Sequence, residues 1–248
     1  MPGIASPLTL DVASISVQGA GREINEDSFF VSATNDLFVV ADGMGGIEGG
    51  ELASAETVSV IVRQMQAARP FSSVLDLRYC LSEALEMANA NVAQIAREKE
   101  LSRMGSTCVV GVRFGEEFHF LGIGDSRAYH VGSQMRQLTQ DDTFAEFLVS
   151  IGQLSRAELR TSPRRNMLMN YIGGHDFETR SETVVVRPAI GDQFLLCSDG
   201  VTDKLEDETI ERILRREDSA EEAAAALVSA AKRAGAQDDL TCIVISVS

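Results

Sequence analysis

Four acidic positions stand where apolar runs of this chain begin or end. Leu37–Ala41 runs directly into Asp42-Gly43-Met44-Gly45-Gly46, and Phe194–Cys197 into Ser198-Asp199-Gly200. Phe120–Ile123 leads to Gly124-Asp125-Ser126-Arg127, and Asp238-Asp239 comes just before Leu240–Ile245. Glycine beside three of these acids lets the backbone turn or approach closely. If the apolar runs pair as antiparallel strands, their ends can meet at one edge. Carboxylates gathered there repel, so either some take protons or a cation sits among them. Oxygen-only ligands select hard divalent ions such as Mg²⁺ or Mn²⁺. Zinc would call for histidine and cysteine at short spacing, and His119, His130 and His175 show none. The competing reading is that each aspartate caps its own turn, as Asp-Gly pairs commonly do.

The elements that must position these acids are legible as patterns. Apolar or alternating runs predict strands at Leu8–Val17, Ser28–Ala33, Leu37–Ala41, Thr107–Phe114, Glu117–Gly122, Ala128–Val131, Thr183–Arg187, Gln193–Cys197 and Thr241–Val247. Gly115-Glu116 and Gly132-Ser133 separate neighbouring runs by hairpin-length gaps, which favours antiparallel pairing. Leu52, Ala55, Val58, Val62 and Met65 recur at helical spacing, as do Val74, Leu77, Leu81, Leu85, Ala88, Val92 and Ile95. A second helical pair is expected at about Asp207–Arg215 and Ser219–Ala234, before the final strand. Strands, two helices, strands, two helices and a strand make a mixed α+β arrangement, with helices outside antiparallel sheets.

Composition excludes several functions. Across 248 residues, 37 acidic side chains oppose 22 basic ones, for a net charge of −15. That balance argues against nucleic acid or an anionic membrane surface as partner. No apolar run approaches the roughly 20 residues that span a bilayer, and no basic segment leads into an apolar N-terminal core. Cys80, Cys108, Cys197 and Cys242 are widely spaced, as suits free thiols in a reducing compartment. A cytoplasmic location is expected, and no linker or repeat divides residues 1–248, so one domain is expected.

With these acids in place, the sequence resembles the bacterial branch of the type 2C metal-dependent serine/threonine protein phosphatases. Gly21-Arg22 through Asn25-Glu26-Asp27, Val39–Gly46, Met104–Thr107, Gly124–Arg127, Leu138-Thr139 with Asp141, Pro163–Asn166, Leu196–Gly200 and Asp238–Thr241 follow the family's motif order. The resemblance implies a four-layer sandwich of two central antiparallel β-sheets flanked by antiparallel helix pairs. It also implies a flap subdomain at about 142–177. It further implies two Mn²⁺ or Mg²⁺ ions bridged by Asp42. Asp199 and Asp238 complete the protein ligands of the first ion. The Gly43 carbonyl serves the second, with Glu26 acting through water. Asp125 resembles an acid that shares a third ion with Asp199, and Arg22 resembles the arginine that binds substrate phosphate. Phosphorylated proteins and a cognate serine/threonine kinase are the implied partners of a monomer.

Two departures from the family pattern bear on chemistry. Met44 stands where many eukaryotic members carry a histidine thought to protonate the leaving group, and a thioether cannot do so. Asp239 stands where asparagine is usual, leaving Asp238 or Asp239 as the ligand; alignment favours Asp238, and Asp239→Asn is expected to be mild. Rival enzyme classes lack their signatures. The sixth residues after the cysteines are Glu86, Phe114, Asp203 and Ser248, so the Cys-x5-Arg of cysteine phosphatases is absent. The Gly43–Gly50 stretch has neither a P-loop lysine nor dinucleotide-binding spacing. A non-catalytic phosphatase-like regulatory domain is the remaining alternative, although it should have lost one of these acids. Arg156, Arg160, Arg164 and Arg165 form a locally basic stretch in the flap. They either lie solvated around a short helix beginning near Pro163 or attract acidic, phosphorylated segments.

Overall fold

The computed structural model describes residues 8–45, 49–179 and 182–248. Gly46, the last residue of the Asp42–Gly46 run, lies outside them. In chain order the elements are β1 (Leu10–Val17), β2 (Asp27–Val31), β3 (Leu37–Met44), α1 (Gly50–Ala67), α2 (Val74–Glu98), β4 (Gly105–Ser106) and β5 (Cys108–Phe114). Next come β6 (Glu117–Ile123), β7 (Arg127–Val131), β8 (Met135–Gln137), α3 (Phe144–Ser150), α4 (Arg156–Leu159) and β9 (Val184–Val186). The chain continues with β10 (Gln193–Cys197), α5 (Asp199–Thr202), α6 (Asp207–Arg216), α7 (Ala220–Arg233) and β11 (Leu240–Val247). One sheet has the order β1-β11-β10-β7-β8, the other β2-β3-β5-β6-β9 with β4 against β3. Every pairing among them is antiparallel.

Period-two alternation sorts the strand residues into layers. Along β3, Leu37, Val39 and Ala41 pack with Leu77, Leu81 and Leu85 of α2. The intervening Phe38 and Val40 point the other way, into an inter-sheet core with Phe118, Phe120, Phe194, Ile243 and Ile245. The Phe118 and Phe194 rings stack across the two sheets at 4.9 Å between centroids. On the far side of the second sheet, Leu195, Cys197, Cys242 and Val244 pack against Ala223, Ala224 and Leu227 of α7. The result is the expected sandwich of helices, sheet, sheet and helices.

Where the chain differs from expectation, short-range geometry is the reason. The helix expected near Pro163 does not form. Arg165 N–H and Met167 N–H close successive turns onto the Ser162 and Arg164 carbonyls, and Leu168 then pairs with Thr143. The helices of this stretch are instead α3 and α4. The Thr183–Arg187 strand is trimmed to three residues, and β4, β8 and α5 were not anticipated.

Candidate active site

Asp42 owes its position to its backbone. Its N–H donates to Thr107 Oγ1 at 3.0 Å, and its carbonyl accepts Thr107 N–H at 2.8 Å and Ser106 Oγ at 3.0 Å. Thr107 Oγ1 in turn lies 2.7 Å from Ser126 Oγ. Two of the sequence motifs, Met104–Thr107 and Gly124–Arg127, therefore brace the acid of a third. Directly opposite Asp42 on β2 stands Asp27.

Gly43 and Glu26 meet at the start of α1. Gly43 N–H donates to the Glu26 carbonyl at 3.0 Å. A Cβ on Gly43 would fall 1.9 Å from the Gly50 carbonyl oxygen. A Cβ on Gly50 would fall 2.3 Å from Glu26 Oε1 and 2.8 Å from the Gly43 carbonyl oxygen. The Glu26 carboxylate and the Gly43 carbonyl thus converge on one small space that only glycine leaves open.

Asp199 and Asp238 come from neighbouring strand ends of the other sheet. The register runs out at Cys197 opposite Cys242, and Ser198 N–H then bonds the Thr241 carbonyl at 3.0 Å. Ser198 Oγ donates to Asp27 Oδ2 at 2.7 Å, tying the two sheets together beneath the acids. Asp125 lies where the chain crosses from one sheet to the other, after Gly124 at φ +86°. It lines a cleft with Asp199, Asp141, Arg127, Arg165 and Asp203. Arg127 is already held there by Asp141 at 2.6 Å.

Arg22 rides on a turn closed by its own N–H onto the Gly19 carbonyl at 3.3 Å, with Gly21 at φ +87°. A positive φ at the third residue of such a turn favours glycine. The guanidinium contacts Glu26 and Asp238 at 2.5 Å each. Burial disfavours its charge, but Asp238, Asp239 and Glu26 outweigh that and hold its pKa up.

These acids tolerate each other poorly. Burial pushes Asp42 well above the usual carboxylate range, and the charges of Asp27, Asp199, Asp125 and Asp238 push it further. Asp199 is raised by burial and then by Asp125, Asp238 and Asp203. Burial takes Asp27 and Asp125 up to about 7, with Asp141 the main charge acting on Asp125. Oδ1 of Asp199 and Oδ1 of Asp27 are buried without a hydrogen-bond partner. Among the described residues no three acidic, histidine or cysteine side chains form a finished chelate. The donor set nevertheless fits hard divalent cations. It is all oxygen, it repels itself, it leaves buried lone pairs unused, and a guanidinium already bridges two of its members.

The structure therefore brings Asp42, Asp199, Asp125 and Asp238 within electrostatic reach of one another, with Arg22, Glu26 and Gly43 beside them. Sequence reasoning missed the parts played by Asp27, Ser198 and Thr107. Asp27 opens an alternating strand and could have been found by pairing β2 with β3; Ser198 has no signal outside the fold. The arginines at positions 156, 160, 164 and 165 are not a free basic patch. Arg156 pairs with Glu146 at 2.9 Å, Arg160 with Glu206 at 3.1 Å and Arg165 with Asp203 at 3.1 Å, while Arg164 lies over the Phe144 ring.

The protein phosphatase 2C family profile matches residues 20–244. Together with the two sheets and the acids between their ends, this shows that the chain belongs to the protein phosphatase 2C family. Serine/threonine protein phosphatase PstP of Mycobacterium tuberculosis is 35% identical over 243 residues. The match takes in 97% of this chain and 45% of PstP, so the chain spans about half the length of that relative. Serine/threonine phosphatase stp of Listeria innocua is 28% identical over 92% of each protein. The crystal structure of the PstP catalytic domain in complex with two manganese ions superposes with a TM-score of 0.80 and 30% identity. It covers 97% of this chain and 99% of that one.

Proposed function

We propose that this chain is a metal-dependent protein serine/threonine phosphatase that hydrolyses phosphoserine and phosphothreonine in proteins. The observation that carries the proposal is the self-repelling, oxygen-only acid cluster around Asp42, with Arg22 beside it. Residues 1–248 act as one catalytic domain, with a flap at about 142–177. Asp42, Asp199 and Asp238 would hold the first of two Mn²⁺ or Mg²⁺ ions. Asp42, the Gly43 carbonyl and, through water, Glu26 would hold the second. Asp125 would join Asp199 at a third. When bound, such ions would lower the pKa of water toward neutrality and offset phosphoryl charge.

The chain's own residues do the rest. Arg22 is a fixed cation whose fork matches two phosphoryl oxygens. Substrate phosphate would draw it from the acids that now hold it. Asp42 and Asp199 must be ionised to bind a cation, so loading the site displaces protons and its affinity rises with pH. Met44, beside Gly105 at the rim, cannot protonate the departing alkoxide, so that proton comes from water or another side chain. Partners are phosphorylated proteins and a bacterial serine/threonine kinase whose marks the enzyme removes. No nucleic acid or membrane is required of a monomeric, cytoplasmic enzyme, and no helix of the described residues is long and apolar enough to cross a bilayer.

The test is hydrolysis of para-nitrophenyl phosphate and of a phosphothreonine peptide. Both should stop with chelator and resume with added Mn²⁺. Full turnover in rigorously metal-free protein would overturn the proposal.

A further inference from the structure

Asp239 does not share the situation of its neighbours. It is 2% exposed, and both its oxygens are taken by main-chain donors: Gly19 N–H at 2.7 Å on Oδ1 and Glu26 N–H at 2.8 Å on Oδ2. Those donors lie 220 and 213 residues away in sequence, and they bracket the loop that carries Arg22. Arg22 Nη1 stands 3.5 Å from Asp239 Oδ2. The loop is also pressed against the backbone preceding β11, since a Cβ on Gly19 would meet the Gln237 carbonyl oxygen at 2.2 Å. Asp239 is itself fixed from behind, because a Cβ on Gly200 would meet its carbonyl oxygen at 2.0 Å.

We propose that Asp239 is a positioning residue whose carboxylate staples both ends of the 19–26 loop. It thereby fixes Arg22 for a phosphoryl group and Glu26 against the Gly43 carbonyl. A carboxylate suits this task because it offers two acceptors and no donor. Asparagine has nearly the same shape, yet its amide nitrogen would face one of the two N–H groups and leave a buried donor unpaired. Asp239→Asn is therefore not the mild change that the sequence pattern suggests, and its effect should fall on phosphate capture before it falls on metal binding. The inference rests on the phosphatase reading for what Arg22 grips, and on the backbone contacts alone for what Asp239 holds.

The experiment compares wild type with Asp239→Asn at saturating Mn²⁺. The inhibition constant for inorganic phosphate and the KM for a phosphoserine peptide should rise together by about tenfold, the scale of one lost buried hydrogen bond to a charged group. The kcat should stay within about threefold of wild type. A shifted Mn²⁺ midpoint with unchanged phosphate inhibition would make Asp239 a metal ligand and overturn the proposal. A lowered melting temperature with unchanged phosphate inhibition would reduce the residue to scaffold and overturn it equally. Should the variant not fold, amide exchange in the wild-type protein still decides. Gly19 and Glu26 N–H should exchange at least tenfold more slowly than the Glu23 and Ile24 amides between them, and equal rates would sink the staple. If wild type released no phosphate while those two amides were protected, the phosphatase reading would fail and the staple would stand.

Discussion

At the scale of single residues, the site depends on atoms that are missing as much as on charges that are present. Gly50 leaves the space into which Glu26 Oε1 and the Gly43 carbonyl project. In Gly50→Ala the new methyl would displace the flexible end of Glu26 and would also meet the Gly43 carbonyl oxygen at 2.8 Å, so both groups offered to the second ion must shift. The second ion should then bind more weakly, and the Mn²⁺ concentration for half-maximal activity should rise by about tenfold or more while kcat at saturating Mn²⁺ changes little. An unchanged Mn²⁺ midpoint would mean that neither Glu26 nor the Gly43 carbonyl serves the ion. Gly43→Ala is more severe, because its methyl would meet the Gly50 carbonyl oxygen at 1.9 Å, and backbone cannot swing away. Part of this was readable beforehand. Acids at strand ends left bound protons or a cation as the ways to relieve their repulsion, and the flanking glycines pointed to close approach. Alignment favoured Asp238 over Asp239 as the ligand, but the backbone contacts of Asp239 were not readable, because the loop at Gly19–Glu26 meets it only in the fold.

At the scale of elements, the 142–177 stretch is fastened by arginines that the sequence left open as either solvated or recruiting. Arg160 ties α4 to the stretch after α5 by donating to the Thr202 and Leu205 carbonyls and by pairing with Glu206. Arg160→Glu should therefore loosen the flap and lower activity on a phosphoprotein and on para-nitrophenyl phosphate by similar, severalfold amounts, with faster proteolysis of residues 144–170. A rise in KM confined to the phosphoprotein would restore the recruiting role. Arg156 is largely exposed but its partner Glu146 is buried, so Arg156→Ala leaves a buried carboxylate without its cation and should lower the melting temperature. The long strands and helices were legible because burial imposes a period on them. β4, at two residues, and α5, at four, are too short to show one. The turns at Pro163 defeat a helical expectation because their hydrogen bonds never extend beyond one turn.

At the scale of the whole molecule, two sheets are held face to face by a phenylalanine-rich core while the acids at one edge push apart. Those acids make metal-free stability depend on pH. Asp27 and Asp125 have folded-state pKa values raised to about 7, against an ordinary value near 4 for an unfolded chain. The folded state then binds more protons than the unfolded one between these values, so stability falls as pH rises from about 4 to 7. The melting temperature of metal-free protein should be higher at pH 5.5 than at pH 8, and saturating Mn²⁺ should narrow or reverse the difference. A metal-free protein more stable at pH 8 would contradict the electrostatics described for the cluster. The layered architecture was evident from the order of strands and helices. The hydrogen bond from Ser198 to Asp27 that joins the sheets was not, because no sequence period links residues 171 apart.

Acids on converging strand ends should hold the cations that make phosphate hydrolysis possible, with Asp42 common to two of them. The direct measurement is the number of Mn²⁺ ions bound per chain, read by electron paramagnetic resonance in wild type and in Asp42→Asn, beside phosphate release from a phosphothreonine peptide in the same samples. Wild type should bind at least two ions and release phosphate. Asp42→Asn should lose tight binding of both, and its turnover should fall by at least about a thousandfold, while its metal-free form melts no lower than wild type because one repelling charge is gone. Two tightly bound ions and undiminished turnover in Asp42→Asn would contradict the account.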